Sequence, residues 1–170
     1  MTNALRLPKS FDDVTEAVLL DEDWYTMRLQ KPPQVMPNGA LKEWMKDNGV
    51  KAKTEEQLYD AAKEAASYQN ENGQYAGLNW VLSLKVVHHD PMINGRSFRK
   101  YLGIPNTGDA ERTTPLGQTV EDSKMESIKT HLEAFAGGKI DGSSDQAELT
   151  PGDQAQFYVV KRFSEYSQKD

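Results

Sequence analysis

No cysteine occurs in the 170 residues, which removes disulfides, thiolate metal sites and cysteine nucleophiles at once. Such a chain fits a reducing compartment. Long apolar runs are also missing: none approaches the ~18 residues that a membrane span needs. The N-terminal MTNALRLPKSF has no apolar stretch of signal-peptide length. Apolar residues make up only 37% of the chain and the mean hydropathy is −0.74, so one domain over residues 1–170 is expected, with a small core and generous polar loops. Reaction motifs are absent as well. No nucleophile elbow surrounds a serine, no glycine-rich run makes a phosphate loop, and Asp12-Asp13, Glu55-Glu56 and Glu121-Asp122 read as solvated or helix-start pairs. The histidines number three. Were His88 and His89 both on a strand, their rings would point to opposite faces and could not share a metal. The expectation is a protein without catalytic residues, metal or cofactor.

What the chain does have is a long hairpin, GLNWVLSLKVVHHDPMINGRSFRKYLGI, from Gly77 to Ile104. Leu78, Trp80, Leu82, Leu84 and Val86 fall on alternate residues, with Asn79, Ser83 and Lys85 between them. Side chains alternate across a strand, so this spacing makes one apolar and one more polar face. Asp90-Pro91 and Asn94-Gly95 turn the chain, and Phe98, Tyr101 and Leu102 mark the return strand. Between Lys85 and Tyr101 the cations Lys85, Arg96, Arg99 and Lys100 face only Asp90. The whole chain, by contrast, carries a formal charge of −6. A local basic ribbon, not net charge, sets contacts to a polyanion's backbone. The same cations would also serve to keep an exposed strand soluble.

The remaining elements are read in order. Residues 1–20 are a lead-in that Phe11, Val14, Val18 and Leu19 could pin to the body. Asp21 to Lys31 predicts a strand with Tyr25, Met27 and Leu29 on one face and Trp24, Thr26 and Arg28 on the other, ended by Pro32-Pro33. Residues 34–76 form a helical insertion. A first helix carries Leu41, Trp44 and Met45 and stops at Asn48-Gly49; a second is opened by a Thr54–Gln57 capping box and bears an alanine stripe weak enough to suit the surface. Residues 105–121 predict a long loop. Ser123 and Glu126 suggest a capping box for a core helix through Met125, Ile128, Leu132 and Phe135, stopped by Gly137-Gly138. After a loop at 141–153, Ala155 to Tyr166 predicts the last strand. Phe157, Val159 and Phe163 share one side of it, and Tyr158, Val160, Arg162 and Tyr166 the other. The class is α+β, mainly β with helices.

The segments SFDDVTEAVLLDEDWYTMRLQK and LNWVLSLKVVHHDPMINGRSFRKYLGI, with Gly95, Arg96, Phe98 and Leu102 in matching places, resemble phage-encoded single-stranded-DNA-binding proteins. KMESIKTHLEAFAGG and GDQAQFYVVKRFSEYS are similar to the helix and terminal strand of that family. The resemblance implies an OB-like five-stranded barrel with the helical insertion at about 34–76 and one core-packing helix. The chain departs from the family in that insertion, in Trp24 where a small residue is usual, and in ending SQKD where an acidic tail is common.

Three basic-aromatic clusters, in the hairpin, at Trp24 with Arg28 and at Lys161-Arg162 between the aromatics of the last strand, together with the resemblance lead to a non-enzymatic single-stranded DNA binder of phage replication or recombination, in the cytoplasm of the infected cell. A sheet that sets rings beside cations can stack bases and hold phosphates together. The stacking candidates are Trp24, Tyr101, Tyr158 and Tyr166. The phosphate candidates are Arg28, Lys85, Arg96, Arg99, Lys100, Lys161 and Arg162. Replication or recombination proteins are candidate partners, a membrane is not, and homo-oligomerisation is left open. The alternative is a structural or interaction protein, a virion or accessory component, using the same barrel and the 34–76 helices for protein contacts. A DNA-mimicking inhibitor has only the acidic charge behind it. Each reading depends on whether the rings and cations share one open face.

Overall fold

The long alternating segment becomes β3 (Leu78–Val86), the axis of a five-stranded antiparallel sheet in a computed structural model that describes residues 6–13, 20–140 and 148–160. Along one side of β3 runs β4 (Ser97–Ile104), with Phe98 opposite Leu84 and Ile104 opposite Leu78. The other side is shared by two shorter strands laid end to end. β1 (Asp23–Leu29) puts Leu29 opposite Leu84, and β2 (Gln34–Pro37) puts Gln34 opposite Val81. Four residues, 30–33, thus lie between Leu29 and Gln34 where only two, Leu82 and Ser83, lie between their partners on β3. Pro32 and Pro33, unable to donate to the ladder, occupy the excess. β5 (Gln154–Val159) pairs with the far side of β1, Tyr158 opposite Trp24. The architecture is α+β, an open antiparallel sheet with three helices, and β4 and β5 are its outer strands.

The hairpin turn forms where the sequence places it. Asp90 accepts from the amides of Met92, Ile93 and Asn94, and Gly95, at φ +84°, donates to the Val86 carbonyl at 2.8 Å. The lead-in at 14–19 and the part of the expected last strand beyond Val160 lie outside the described residues.

The inward face carries two adjoining cores. Tyr25, Met27, Leu29, Leu82, Leu84, Val86 and Leu102 form the first. Leu78 joins Ala40, Leu41, Ala61, Ala62, Ala65 and Ala76 in the second. α1 (Gly39–Asp47) starts at Asn38, whose side chain accepts from the Leu41 amide, and ends at Asn48-Gly49. α2 (Glu55–Glu64) opens with the expected reciprocal Thr54–Gln57 capping box. Its alanine stripe is not at the surface, however. Ala61, Ala62 and Ala65 are at most 3% exposed; side chains this small let the helix approach closely and bury itself. Residues 34–76 are likewise not merely an insertion, since β2 adds a strand to the sheet and the helices complete its core.

α3 (Val120–Ala136) begins earlier than expected. Thr119 is its cap, accepting from the Asp122 amide at 3.0 Å, so Ser123 and Glu126 lie inside the helix and make no capping box. Gly137, at φ +75°, ends it. Ile128 and Phe135 pack on the first core, but Met125 is 54% exposed. The helix rests against both β4 and β5.

The 105–121 loop is more structured than its composition suggests. A short 3₁₀ turn at Asp109–Glu111 and a bridge between Thr113 and Thr119 fold it back. Asp109, 2% exposed, accepts from the Asn106 amide and Lys124 Nζ, both at 2.8 Å, and from Arg112 Nη1 at 3.3 Å. Arg112 also donates to the Ala66 carbonyl and lies 3.6 Å above the Tyr75 ring, while Asn106 donates to the carbonyls of Ala62 and Ala76. One buried carboxylate therefore ties the loop to α2, α3 and the start of β3.

His131 packs on Phe157 and its Nδ1 donates to the Ser127 carbonyl at 2.7 Å. Burial, with a smaller push from Lys100, holds its pKa below 6.5, against the raising effect of that hydrogen bond. A pKa depressed on folding means that the unfolded chain binds the proton more readily, so stability falls as pH drops through 6.5 toward the folded value. Urea melts above and below this window should show a loss on acidification that is smaller in His131→Gln. An equal loss in both proteins would rule His131 out as the group responsible.

Candidate nucleic-acid interface

Paired residues in a ladder project from the same side of the sheet, so the register sorts each strand residue onto a face. Outward, β1 contributes Trp24, Thr26 and Arg28, and β5 contributes Gln154, Gln156 and Tyr158. β3 and β4 contribute Asn79, Val81, Ser83 and Lys85, and Ser97, Arg99, Tyr101 and Gly103. β2 adds Gln34 and Met36. No outward strand residue is an Asp or Glu, and among them only Val81, 3% exposed, is buried. On a chain of net charge −6 this face holds three cations, three aromatic rings and a field of amides and hydroxyls.

The order of these groups matters. Trp24 and Tyr158 sit side by side at one end, edge to face at 5.6 Å, with 61% and 50% of their surfaces exposed. Arg28 and Lys85 are direct partners across β1 and β3. Arg99 is opposite Ser83, and Tyr101, 53% exposed, is opposite Val81 farther along. A diagonal band results, with rings at both ends and cations between. At ~3.3 Å per residue and ~4.8 Å per strand it extends about 30 Å.

Local chemistry holds parts of the band in place. With its amide oxygen turned to the guanidinium, as donor–acceptor matching requires, Gln154 accepts from Arg28 Nε at 3.1 Å and Nη2 at 2.9 Å. Among the described residues the salt bridges are Asp109–Arg112 and Asp109–Lys124; Arg28, Lys85 and Arg99 take part in neither. Beyond Tyr101 the Lys124 stem crosses Gly103, 3.2 Å from where a Cβ would stand, so glycine there lets α3 border the face.

Six of the residues singled out from sequence are thus brought together: Trp24, Arg28, Lys85, Arg99, Tyr101 and Tyr158. Two depart from the group. Lys100 is opposite Leu82, on the inward side, and its charge is felt by His131 of α3. Arg96 lies opposite Val86, half-buried, with its Nε donating to the Met92 carbonyl at 3.1 Å. Lys161, Arg162 and Tyr166 lie outside the described residues. The outward amides Gln154, Gln156 and Asn79 were not singled out; strand alternation alone was the signal that could have found them.

The histidine pair differs from expectation because β3 ends at Val86. His88 and His89 follow it in the turn and stack at 4.2 Å, with His88 Nδ1 accepting from the Asp90 amide. Among the described residues no three side chains of metal-binding type gather, and no helix is long and apolar enough to cross a membrane.

Compared with protein-family models, curated proteins and solved structures, the chain matches none.

Proposed function

We propose that the outward sheet face binds single-stranded DNA without catalysing a reaction, as a phage-type replication or recombination protein in the host cytoplasm. The supporting observation is the band itself: Trp24 with Tyr158 at one end, Tyr101 at the other, and Arg28, Lys85 and Arg99 between them on a face whose strands carry no acid. Rings accept any base by stacking, and cations neutralise the phosphates that link those bases. Duplex DNA offers no exposed base faces to rings on a sheet, so a single strand is the better fit. In this reading the five-stranded sheet backed by α3 is an OB-like barrel, and the family resemblance of the hairpin agrees with it.

The test is fluorescence anisotropy of labelled oligo-dT over a salt series. Binding should weaken steeply as salt rises, by about 0.7 log units of affinity per log unit of salt for each phosphate neutralised. Trp24→Ala should cost roughly tenfold, within the ~1–3 kcal/mol that one stacked base contributes. No binding at low salt would end the proposal.

A further inference from the structure

The outer strands leave a gap whose lining has a definite chemistry. A groove of ≈ 200 Å³ lies between β4 and β5. Consecutive residues of each strand border it, Phe98-Arg99-Lys100 on one side and Phe157 to Val160 on the other, so the strand edges themselves form its walls. Met27 and Leu84, from the inward face, are its floor. β4 pairs only with β3 and β5 only with β1, so among the described residues each presents backbone donors and acceptors to the gap without a ladder partner.

From these edges we infer that the groove takes an extended acidic peptide of a partner protein, added as a strand between β4 and β5. Main-chain groups pair with such edges wherever a chain of matching direction enters. Alternation then decides the side chains. Those pointing in meet Met27 and Leu84 and must be apolar. Those pointing out pass Arg99, and an acid at the peptide's end can reach Lys100, which sits on the inward side of β4 but is exposed and lines the groove; neither cation takes part in an ion pair among the described residues. A segment alternating apolar and acidic residues satisfies floor, walls and rim together. A nucleic-acid strand has no amide ladder to offer and no apolar side to turn inward. This inference goes beyond the DNA-binding reading and shares Arg99 and Tyr158 with it.

The experiment uses a short fluorescein-labelled peptide of alternating Asp and Val with the 170-residue protein. Anisotropy should rise, and amide exchange at 98–100 and 157–160 should slow. Lys100→Glu should weaken the peptide roughly tenfold, the scale of one hydrogen bond to a charged group, while oligo-dT affinity, read on the outward face, stays within about twofold. The same peptide N-methylated at alternate residues keeps its charge but loses ladder donors, so it should bind far more weakly. Equal binding of the N-methylated peptide, or no response to the plain one, would overturn the assignment.

Discussion

Replacing Arg28, Lys85 and Arg99 together by Glu should lower oligo-dT affinity at least a hundredfold. Each cation removed forfeits about 1 kcal/mol of phosphate contact, and each Glu adds repulsion on a face that has no acid of its own. The salt slope should flatten by about 2, three cations at ~0.7 each for a single strand. A charge-matched control separates placement from net charge. Lys42, Lys46 and Lys63 are exposed on α1 and α2, the helices that complete the inward core. Reversing those three changes net charge equally and should cost less than about threefold, through the weak long-range field alone. If both triple variants lose affinity to the same degree, the band is not the binding site.

Asp109→Ala should give a loss of stability as large as that of truncating a buried core leucine. Removing the carboxylate leaves Lys124 and Arg112 uncompensated and orphans the Asn106 amide. Breaking a buried ion pair from one side costs ~3–5 kcal/mol. Here the cations keep 28% and 25% side-chain exposure, so solvent screening puts the expected cost at the lower end, about 3 kcal/mol. In a domain of this size that is a fall in Tm of roughly 6–12 °C. Asp109→Asn, which keeps the shape and one acceptor, should lose less. Below its midpoint the Ala variant should still bind oligo-dT, because the hub lies off the outward face. A Tm unchanged from wild type would show that the carboxylate is not the tie between loop, α2 and α3.

The sequence made some of this legible and hid the rest for physical reasons. Alternation in LNWVLSLKV and in DWYTMRL specified both faces of β3 and β1, and those faces are the ones observed. It also carried a warning about the candidate cations: Arg99 and Lys100 are neighbours on one strand and cannot share a side. Register was out of reach. Arg28 meets Lys85, and Trp24 meets Tyr158, through pairings between segments distant in the chain, and no local pattern specifies those partners. β2 escaped notice because four residues behind two prolines carry little periodicity; their pairing with β3 makes them a strand. The alanines of α2 read as surface because burial was judged by apolar bulk, whereas they are buried by close fit. Nothing local marks Asp109 as buried: Asn106 and Arg112 flank it in the loop, but Lys124 of α3 and the α2 carbonyls that Asn106 and Arg112 reach are brought in only by the fold.

The two prolines between β1 and β2 have a consequence for how this chain can vary. The excess there is two residues, an even number, and so Gln34 and Met36 stay on the same side as Trp24 and Arg28. Losing a single residue from the 30–33 stretch would swap sides for everything that follows in β2, turning Val35 to water and Gln34 into the alanine core. Length changes at this joint should therefore be tolerated only in pairs, a parity rule that a deletion series in this protein would reveal directly.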